Sequence, residues 1–312
     1  MLLSLKRVRQ ILGVLWIIDG LFQLQPQMFT MNMVNKVLNP ISDGQPALIA
    51  SNLQWIVDVI SKNLIAANII IALVQIALGA LLLSGRWVRG TVLVSLFWAL
   101  LVWYGGEGMS LLLTGQGSAL TGAPGAVLLY PLIGLLVYPR KDDLDQGLLP
   151  QSAFRWVLAG FWFLSALLQL QPYWWQSGQI SGAIGGMVGM GGGNNFIVDP
   201  ILRALSTATT GIEIPLNILL IVIFLTLAIA LVVVKEKQIR HALIVSLIVS
   251  VLLWYTTQAL GGIFTGMATD FNSGLLLVVM ALACWPKVPQ MNEASENTTE
   301  AILQQQNASQ MS

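Results

Sequence analysis

Eight apolar stretches divide the chain, and polar or charged residues separate each of them from the next. They cover about residues 10–28, 62–83, 90–112, 124–138, 154–172, 213–234, 242–264 and 272–286. A bilayer core of about 30 Å needs about 20 helical residues to cross it. Most of the stretches reach this length, although the fourth and the eighth are short for it. The pattern therefore predicts an all-α membrane protein with eight transmembrane helices.

The apolar pattern occurs twice along the chain. Residues 15–29 read LWIIDGLFQLQPQMF, and residues 161–175 read FWFLSALLQLQPYWW. Further pairs follow at offsets of 149 and 151 positions, such as Asn68 with Asn217 and Trp103 with Trp254. This self-similarity predicts a tandem duplication of one structural unit.

Each unit contains four apolar stretches, and an even number of crossings makes the two repeats parallel. We therefore predict two four-helix bundles, residues 1–146 and 147–288, related by an axis along the membrane normal. The first helix of each bundle is expected near that axis. Residues 289–312 are rich in Gln, Asn, Ser and Glu, which predicts a disordered cytoplasmic tail.

The two long loops, residues 29–61 and 173–212, contain amphipathic segments. In the first loop, four aliphatic residues fall on one helical face: Ile49, Leu53, Ile56 and Ile60. In the second loop, Asp199 is expected to cap a helix that begins with Pro200. These patterns predict short interfacial helices in the outer loops.

Basic residues give the orientation, because they are concentrated in cytoplasmic loops. With the N-terminus inside, twelve fall on the cytoplasmic side: Lys6, Arg7, Arg9, Arg86, Arg89, Arg140, Lys141, Arg155, Lys235, Lys237, Arg240 and Lys287. Only Lys36, Lys62 and Arg203 fall on the other side. We therefore predict a multi-pass protein of the bacterial cytoplasmic membrane, with both termini in the cytoplasm.

Composition supports the membrane prediction and excludes several functions. The chain is 56% hydrophobic and 9% charged, whereas soluble domains carry roughly 25% charged residues. A net charge of +1 gives no nucleic-acid footprint. A single cysteine excludes an internal disulfide, and a single histidine excludes bis-histidine haem and a multi-histidine zinc site.

A few polar residues interrupt the apolar stretches, and polar groups at such depths mark functional sites. Counted from the nearest cytoplasmic arginines, Asp19 and Gln75 lie about 15 Å deep, near mid-membrane, where they could pair. Gln23 lies one turn above Asp19 on the same face. Glu107 and Asn68 lie near the outer boundary, about 27 Å from their arginines.

The second half serves as an internal comparison for this set. Asn68 and Gln23 are kept there, which indicates a structural role, whereas three other positions change: Asp19 to Ser165, Gln75 to Phe224 and Glu107 to Gln258. The changed set predicts a ligand or proton site in the first half only. A structural alternative stays open for each acid, with Glu107 capped by backbone amides or paired with Lys62.

Methionines near the outer surface offer a second chemistry. Met28, Met31 and Met33 follow the first apolar stretch, and soft thioethers suit Cu(I). Adaptable packing at a membrane interface is the alternative for these residues. Asp270 and Asn272 are expected to cap the last helix and not to bind a metal.

The chain also resembles a known family. The pattern Arg9, Leu12-Gly13, Asp19-Gly20-Leu21 and Gln25-Pro26 resembles DoxX-like membrane proteins, which include the small subunit of thiosulfate:quinone oxidoreductase. It is also similar to bacterial integral membrane proteins without assigned function. The segments shared with that group are QLQP after the first helix, GEG at 106–108, LTGAPG at 120–125 and TGMATD at 265–270. The first resemblance implies a four-helix fold and suggests a quinone as one candidate cofactor, but it supplies no reaction.

Three functions remain open at this stage. The first is binding or transport of a small ligand in an outward-facing polar cleft that ends at Asp19. The second is a quinone-linked redox subunit, as the resemblance implies, and the third is a non-catalytic assembly or anchoring subunit with a membrane-protein partner. The chain contains no HExxH motif, no Cys–His pair in sequence and no cofactor motif, so catalysis by the chain alone is not expected.

Overall fold

The computed structural model describes residues 3–140, 143–189, 195–235 and 238–286. The helices are α1 (Leu5–Gln23), α2 (Met31–Met33), α3 (Ala47–Lys62), α4 (Leu64–Ser84), α5 (Val88–Gly105), α6 (Ala126–Val137), α7 (Gln151–Gln169), α8 (Gln179–Gly186), α9 (Asp199–Thr209), α10 (Glu213–Val233), α11 (Ile239–Thr256) and α12 (Asn272–Ala283). Short 3₁₀ helices cover Pro26–Phe29, Asn39–Ser42, Gly108–Thr114, Pro172–Trp175 and Ala259–Gly262, and a π helix covers Val34–Leu38. The predicted disordered tail, 289–312, lies outside the described residues.

Helices dominate the fold, as the sequence predicts. One short antiparallel pair, β1 (Pro139–Arg140) and β2 (Asp143–Gly147), connects the two halves. The expected boundary between the halves, at 146/147, falls within β2, and the first helix of the second half begins at Gln151.

Four of the helices are long and apolar enough to cross a membrane. Within the described residues these are α4, α5, α10 and α11. Helices α1 and α7 each have 19 residues but carry more polar groups, and α1 contains Lys6, Arg7, Arg9 and Asp19. Helices α6 and α12 have 12 residues each, a length of about 18 Å. Helix length and composition thus support four crossings, not the eight that the sequence predicts.

The outer faces of these four helices are strongly apolar. Large side chains exposed there include Ile70 and Leu73 on α4, Phe97 on α5, Val222 on α10 and Ile248 on α11. In the 18-residue apolar stretch of each of these helices, only 28–33% of the residues are buried inside the protein. A surface of this size and character is typical of a membrane protein, because soluble proteins rarely expose large contiguous apolar patches.

Helix α1 packs along α4, and α7 packs along α10 in the same way. The first pair meets through Gly13, Gly20 and Gly79, where small residues let two helix backbones approach closely. The corresponding positions of the second pair are Ala159, Ala166 and Ala228, all buried. The first half therefore has the smaller side chains at its central helix contact.

Contact between the halves is made chiefly by α6 and α12. Gln258 donates a hydrogen bond to the carbonyl of Ala119, and Phe22 lies edge-on to Phe271 with ring centroids 5.3 Å apart. Helices α1 and α7, expected near the axis, contact α12 but do not make the main contact between the halves. The short helices α6 and α12 lie at the centre, and most of their apolar side chains are buried. Helices α4, α5, α10 and α11 instead expose apolar side chains on the outer surface.

The amphipathic segments of the long loops form helices. Helix α3 buries Leu53 and Val57, and α9 begins at Asp199. Asp199 is not the cap of α9 but its first residue, and its carboxylate accepts from the backbone N–H groups of Gly189 and Asn195. It therefore anchors the preceding loop to the helix, a role that sequence spacing alone could not distinguish from capping.

The same unusual turn follows α5 and α11. Residues 108–111 have φ angles of 50–60°, and residues 259–262 have φ angles of 48–72°. Four consecutive residues in the left-handed region are rare, because a Cβ atom is crowded there. Nearby, Trp103 donates to the carbonyl of Pro124, and Trp254 donates to that of Phe271, at 2.6 Å in both cases. Corresponding residues of the halves thus make the same local structure.

Candidate functional site

Four of the five residues expected to form a site line a single cavity of about 210 Å³. Asp19 and Gln23 come from α1, Gln75 comes from α4, and Glu107 lies just after α5. Helix α3 covers the cavity with Ile56 and Ile60, and α6 contributes Tyr130. The second half contributes Thr269 and Asp270, which precede α12. We call this cavity the chamber.

Asp19 is 1% exposed and lies at the chamber wall between α1 and α6. The phenolic O–H of Tyr130 donates to its Oδ2 atom. Asp19 therefore pairs with Tyr130 of α6, and not with Gln75, the partner considered from the sequence. Trp16 stacks at a tilt against Tyr130, with ring centroids 4.4 Å apart, and so holds the phenol against α1.

Several buried polar atoms in the chamber have no protein partner. These are Oδ1 of Asp19, Oε1 of Gln23, Oε1 of Gln75 and Nε1 of Trp16 and Trp98. Gln23 and Gln75 are each 5% exposed. More than nine in ten buried polar groups in proteins are hydrogen-bonded, so the five unpaired atoms around this cavity make it the candidate site.

Glu107 is held by the chain around it. Its Oε1 accepts from the backbone N–H of Val127 at 3.1 Å, and its Oε2 accepts from the Ser110 hydroxyl at 3.2 Å. The backbone contact agrees with the alternative that amides cap this acid. Glu107 nevertheless lines the chamber, so the two roles coexist.

A second cavity, of about 410 Å³, adjoins the chamber, and we call it the vestibule. Glu107 and Asp270 line both cavities and therefore stand between them. Asp270 accepts from the backbone N–H of Asn272, the first residue of α12, at 2.6 Å and from the Thr269 hydroxyl at 2.9 Å. The expectation that Asp270 caps the last helix agrees with the first contact, but the sequence did not predict that it reaches the first-half site.

The two carboxyl groups between the cavities are removed from bulk water. Burial, together with the nearby carboxyl of Asp270, raises the pKa of Glu107 to about 8. Burial also raises the pKa of Asp270, and the hydrogen bonds from Asn272 and Thr269 oppose this rise. The pair can therefore hold a proton near neutral pH.

Asn68 lies outside the chamber lining and has a structural role, as expected from its presence in both halves. It is fully buried, and its Nδ2 donates to the carbonyl of Gln23 at the end of α1. Asn217 donates to the carbonyl of Gln169 in the same way, at 3.1 Å. Each asparagine thus ties the end of one long helix to the start of the next.

In the second half, the three residues that correspond to Gln75, Asp19 and Glu107 all have partners within the protein. Phe224, which corresponds to Gln75, is fully buried and stacks on Trp162 with ring centroids 5.5 Å apart. Ser165, in the place of Asp19, donates to the carbonyl of Phe161 in its own helix. Gln258, in the place of Glu107, accepts from the Gly274 N–H and donates to Ser273 and Ala119. Phe224 thus packs in the core, and Ser165 and Gln258 make hydrogen bonds within the protein.

The three methionines considered for copper do not share one site. Met28 and Met33 are buried, at 0% and 3% exposure, in an apolar cluster with Met267, whereas Met31 is 54% exposed. This geometry supports the packing alternative. Within the described residues, no group of three or more His, Cys, Asp or Glu side chains is arranged to hold a metal ion.

Two residues at the site were not predicted from the sequence as site residues. Tyr130 lies in an apolar stretch, and its place among aliphatic residues gave no functional signal beyond its hydroxyl group. Asp270 lies in the second half, 251 positions after Asp19, so only tertiary contact brings the two residues together. In both halves this position accepts a backbone N–H from the following short helix: Glu107 from Val127 of α6, and Gln258 from Gly274 of α12.

Comparison with known proteins leaves the family of this chain open. No protein-family model, no curated protein and no solved structure matches it. The DoxX-like resemblance, and with it the quinone-linked and assembly functions, therefore stays a prediction.

Proposed function

We propose that this chain is a multi-pass membrane protein whose chamber binds, or passes across part of the membrane, a small ligand. The observation that supports this most directly is the convergence of buried, unpaired polar atoms from α1 and α4 on one cavity. An unpaired buried polar group costs about 1–3 kcal/mol, and a ligand that donates hydrogen bonds to these atoms would recover that cost.

Eight helices cross the membrane in this proposal: α1, α4, α5, α6, α7, α10, α11 and α12. Helices α4, α5, α10 and α11 have the required length and composition. Helices α6 and α12 are short, and they lie at the centre of the protein, where the neighbouring helices shield them from lipid. The equivalent turns and hydrogen bonds of the two halves support a tandem duplication with parallel repeats.

The proposed location is the bacterial cytoplasmic membrane, with both termini inside. At one end of the bundle the guanidinium of Arg9 lies beside Gly85, and Arg89 donates to the carbonyl of Pro139. Twelve of the fifteen basic residues belong to this side in the predicted topology. The vestibule lies at the opposite ends of α5 and α11, so it faces outward in this orientation.

A ligand would then enter in two steps. It first meets the vestibule, whose inner wall is formed by Glu107 and Asp270, and then reaches the chamber that ends at Asp19. The first-half acids thus serve as the entry and the end of one path, and the second half contributes Asp270 and structural support.

Cysteine accessibility tests this path in intact membranes. Gln75→Cys at the chamber and Thr121→Cys at the vestibule should both react with membrane-impermeant methanethiosulfonates added from outside. The wild type gives the background, because its one cysteine, Cys284, is buried. Ser250→Cys is the matched control, since Ser250 is fully buried and does not belong to either cavity lining.

The outcomes separate the parts of the proposal. Reaction of Thr121→Cys without Gln75→Cys would mean that the chamber is closed to the outside, which overturns the entry path. Reaction from the cytoplasmic side only would overturn the orientation. In addition, Asp19→Asn should fail to rescue the phenotype of a strain that lacks the gene, whereas Ser165→Ala should rescue it, with expression of both variants checked by immunoblot.

A further inference from the structure

The unpaired polar atoms also indicate the class of ligand. We propose that the chamber binds a small organic cation, an ammonium group carrying an apolar body. This inference rests on the proposed function, because it assigns a ligand class to the same chamber.

The first argument is the balance of donors and acceptors. Three unpaired acceptors, Oδ1 of Asp19 and Oε1 of Gln23 and Gln75, lie on buried side chains that line the chamber. A primary ammonium has three N–H donors and no acceptor, so one such group could satisfy all three. A carboxylate or phosphate ligand could accept from the two unpaired indole N–H groups, Trp16 and Trp98, but it would leave all three acceptors unpaired.

Charge gives the second argument. Asp19, Glu107 and Asp270 lie along the path, and among the described residues that line the chamber or the vestibule none is Lys, Arg or His. A buried carboxylate is costly without a nearby positive charge or a proton. A cation supplies that charge, whereas an anion would find no basic residue in the described lining of either cavity.

The apolar part of the lining gives the third argument. Trp16, Trp98 and Tyr130 face the chamber beside aliphatic residues such as Ile60 and Val102. Aromatic faces attract cations, and Trp does so most strongly. The volume of about 210 Å³ is below the roughly 300–1,000 Å³ of pockets that hold drug-sized ligands, so the cation must be small.

A series of probes with one shape and three charges tests this inference. Benzylammonium, benzyl alcohol and benzoate are added to the purified full-length protein, and thermal unfolding is followed by tryptophan fluorescence. Benzylammonium should raise the unfolding midpoint, and benzyl alcohol should need about 10- to 100-fold higher concentration for the same shift, because a hydrogen bond to a charged group is stronger. Benzoate should give no shift.

Variants locate the effect and exclude partitioning into detergent. Asp19→Asn should weaken benzylammonium binding at least about tenfold while leaving the response to benzyl alcohol unchanged. Ser165→Ala, at the corresponding position of the second half, should bind like the wild type. Methylammonium, which has the same three N–H donors but almost no apolar body to partition into detergent, should compete with benzylammonium at higher concentration. If Asp19→Asn does not fold, the wild-type probe series and this competition still decide the result.

Each outcome has a distinct meaning. A preference for benzylammonium that Asp19→Asn removes supports the inference. Equal or stronger stabilisation by benzyl alcohol or benzoate overturns the cation inference but leaves a ligand-binding chamber. Binding of benzylammonium that Asp19→Asn leaves intact overturns the assignment to this chamber. No shift with any probe overturns both this inference and the proposed binding function for ligands of this size.

Discussion

Replacing Gly79 by alanine should disrupt the central contact of the first half. An ideal Cβ at this position would lie 2.6 Å from Cγ1 and 2.8 Å from the backbone nitrogen of Ile17, and it would also overlap the carbonyl of Gly13. Contacts under 3.0 Å are essentially never seen for real Cβ atoms. Two of the three obstructing groups are backbone atoms of α1, so they can move only if the whole helix shifts.

The magnitude follows from the nature of these contacts. Overpacking a tight core typically costs about 1–3 kcal/mol, and obstruction by backbone atoms places this site in the upper part of that range. With about 2–4 °C lost per kcal/mol, the unfolding midpoint should fall by roughly 4–12 °C. The shift also separates Asp19 on α1 from Gln75 on α4, so ligand binding in the chamber should weaken with stability.

Thermal unfolding of the purified protein in one detergent measures the effect. Gly160→Ala, in α7, is the matched control, because no atom lies within 4 Å of the Cβ it would add. That change should be neutral or stabilising, since alanine favours helix more than glycine does by about 1 kcal/mol. Equal midpoints for Gly79→Ala and Gly160→Ala would refute the close approach of α1 and α4.

Three further predictions follow from the site and the repeat. Gly125→Ala should displace Glu107 and reduce ligand binding, because its φ of 131° is strained for alanine and the new Cβ would lie 2.8 Å from Ser110 Oγ; an unchanged binding isotherm would contradict this. The raised pKa of Glu107, about 8, means that the folded state binds more protons than the unfolded state between its usual range and pH 8, so stability should fall as pH rises through this window. Glu107→Gln should flatten that pH profile, and an unaltered slope would count against the assignment. Asn217→Ala should lose the hydrogen bond to the Gln169 carbonyl and cost about 1–3 kcal/mol, because a buried acceptor is left unpaired, while ligand binding in the first half should persist.

The tertiary arrangement refined several expectations about the helices. The third apolar stretch, expected over 90–112, ends as a helix at Gly105, and a left-handed turn takes up the rest. Hydropathy could not mark that end, because Met109, Leu111 and Leu112 are as apolar as the helix before them. The central position of the short helices α6 and α12 could not be predicted either. Hydropathy along the chain does not distinguish an apolar surface that packs against protein from one that contacts lipid.

The helical class, the apolar surface and four of the residues around the chamber could be predicted from the sequence. Hydrophobic period, composition and depth are properties of single segments, and the comparison with Ser165, Phe224 and Gln258 showed which polar residues are absent from the second half. The pairing of Tyr130 with Asp19, and the position of Asp270 beside Glu107 between the two cavities, depend instead on tertiary packing. Those contacts join residues more than 100 positions apart, and the packing of α6 and α12 against α1 sets their distances.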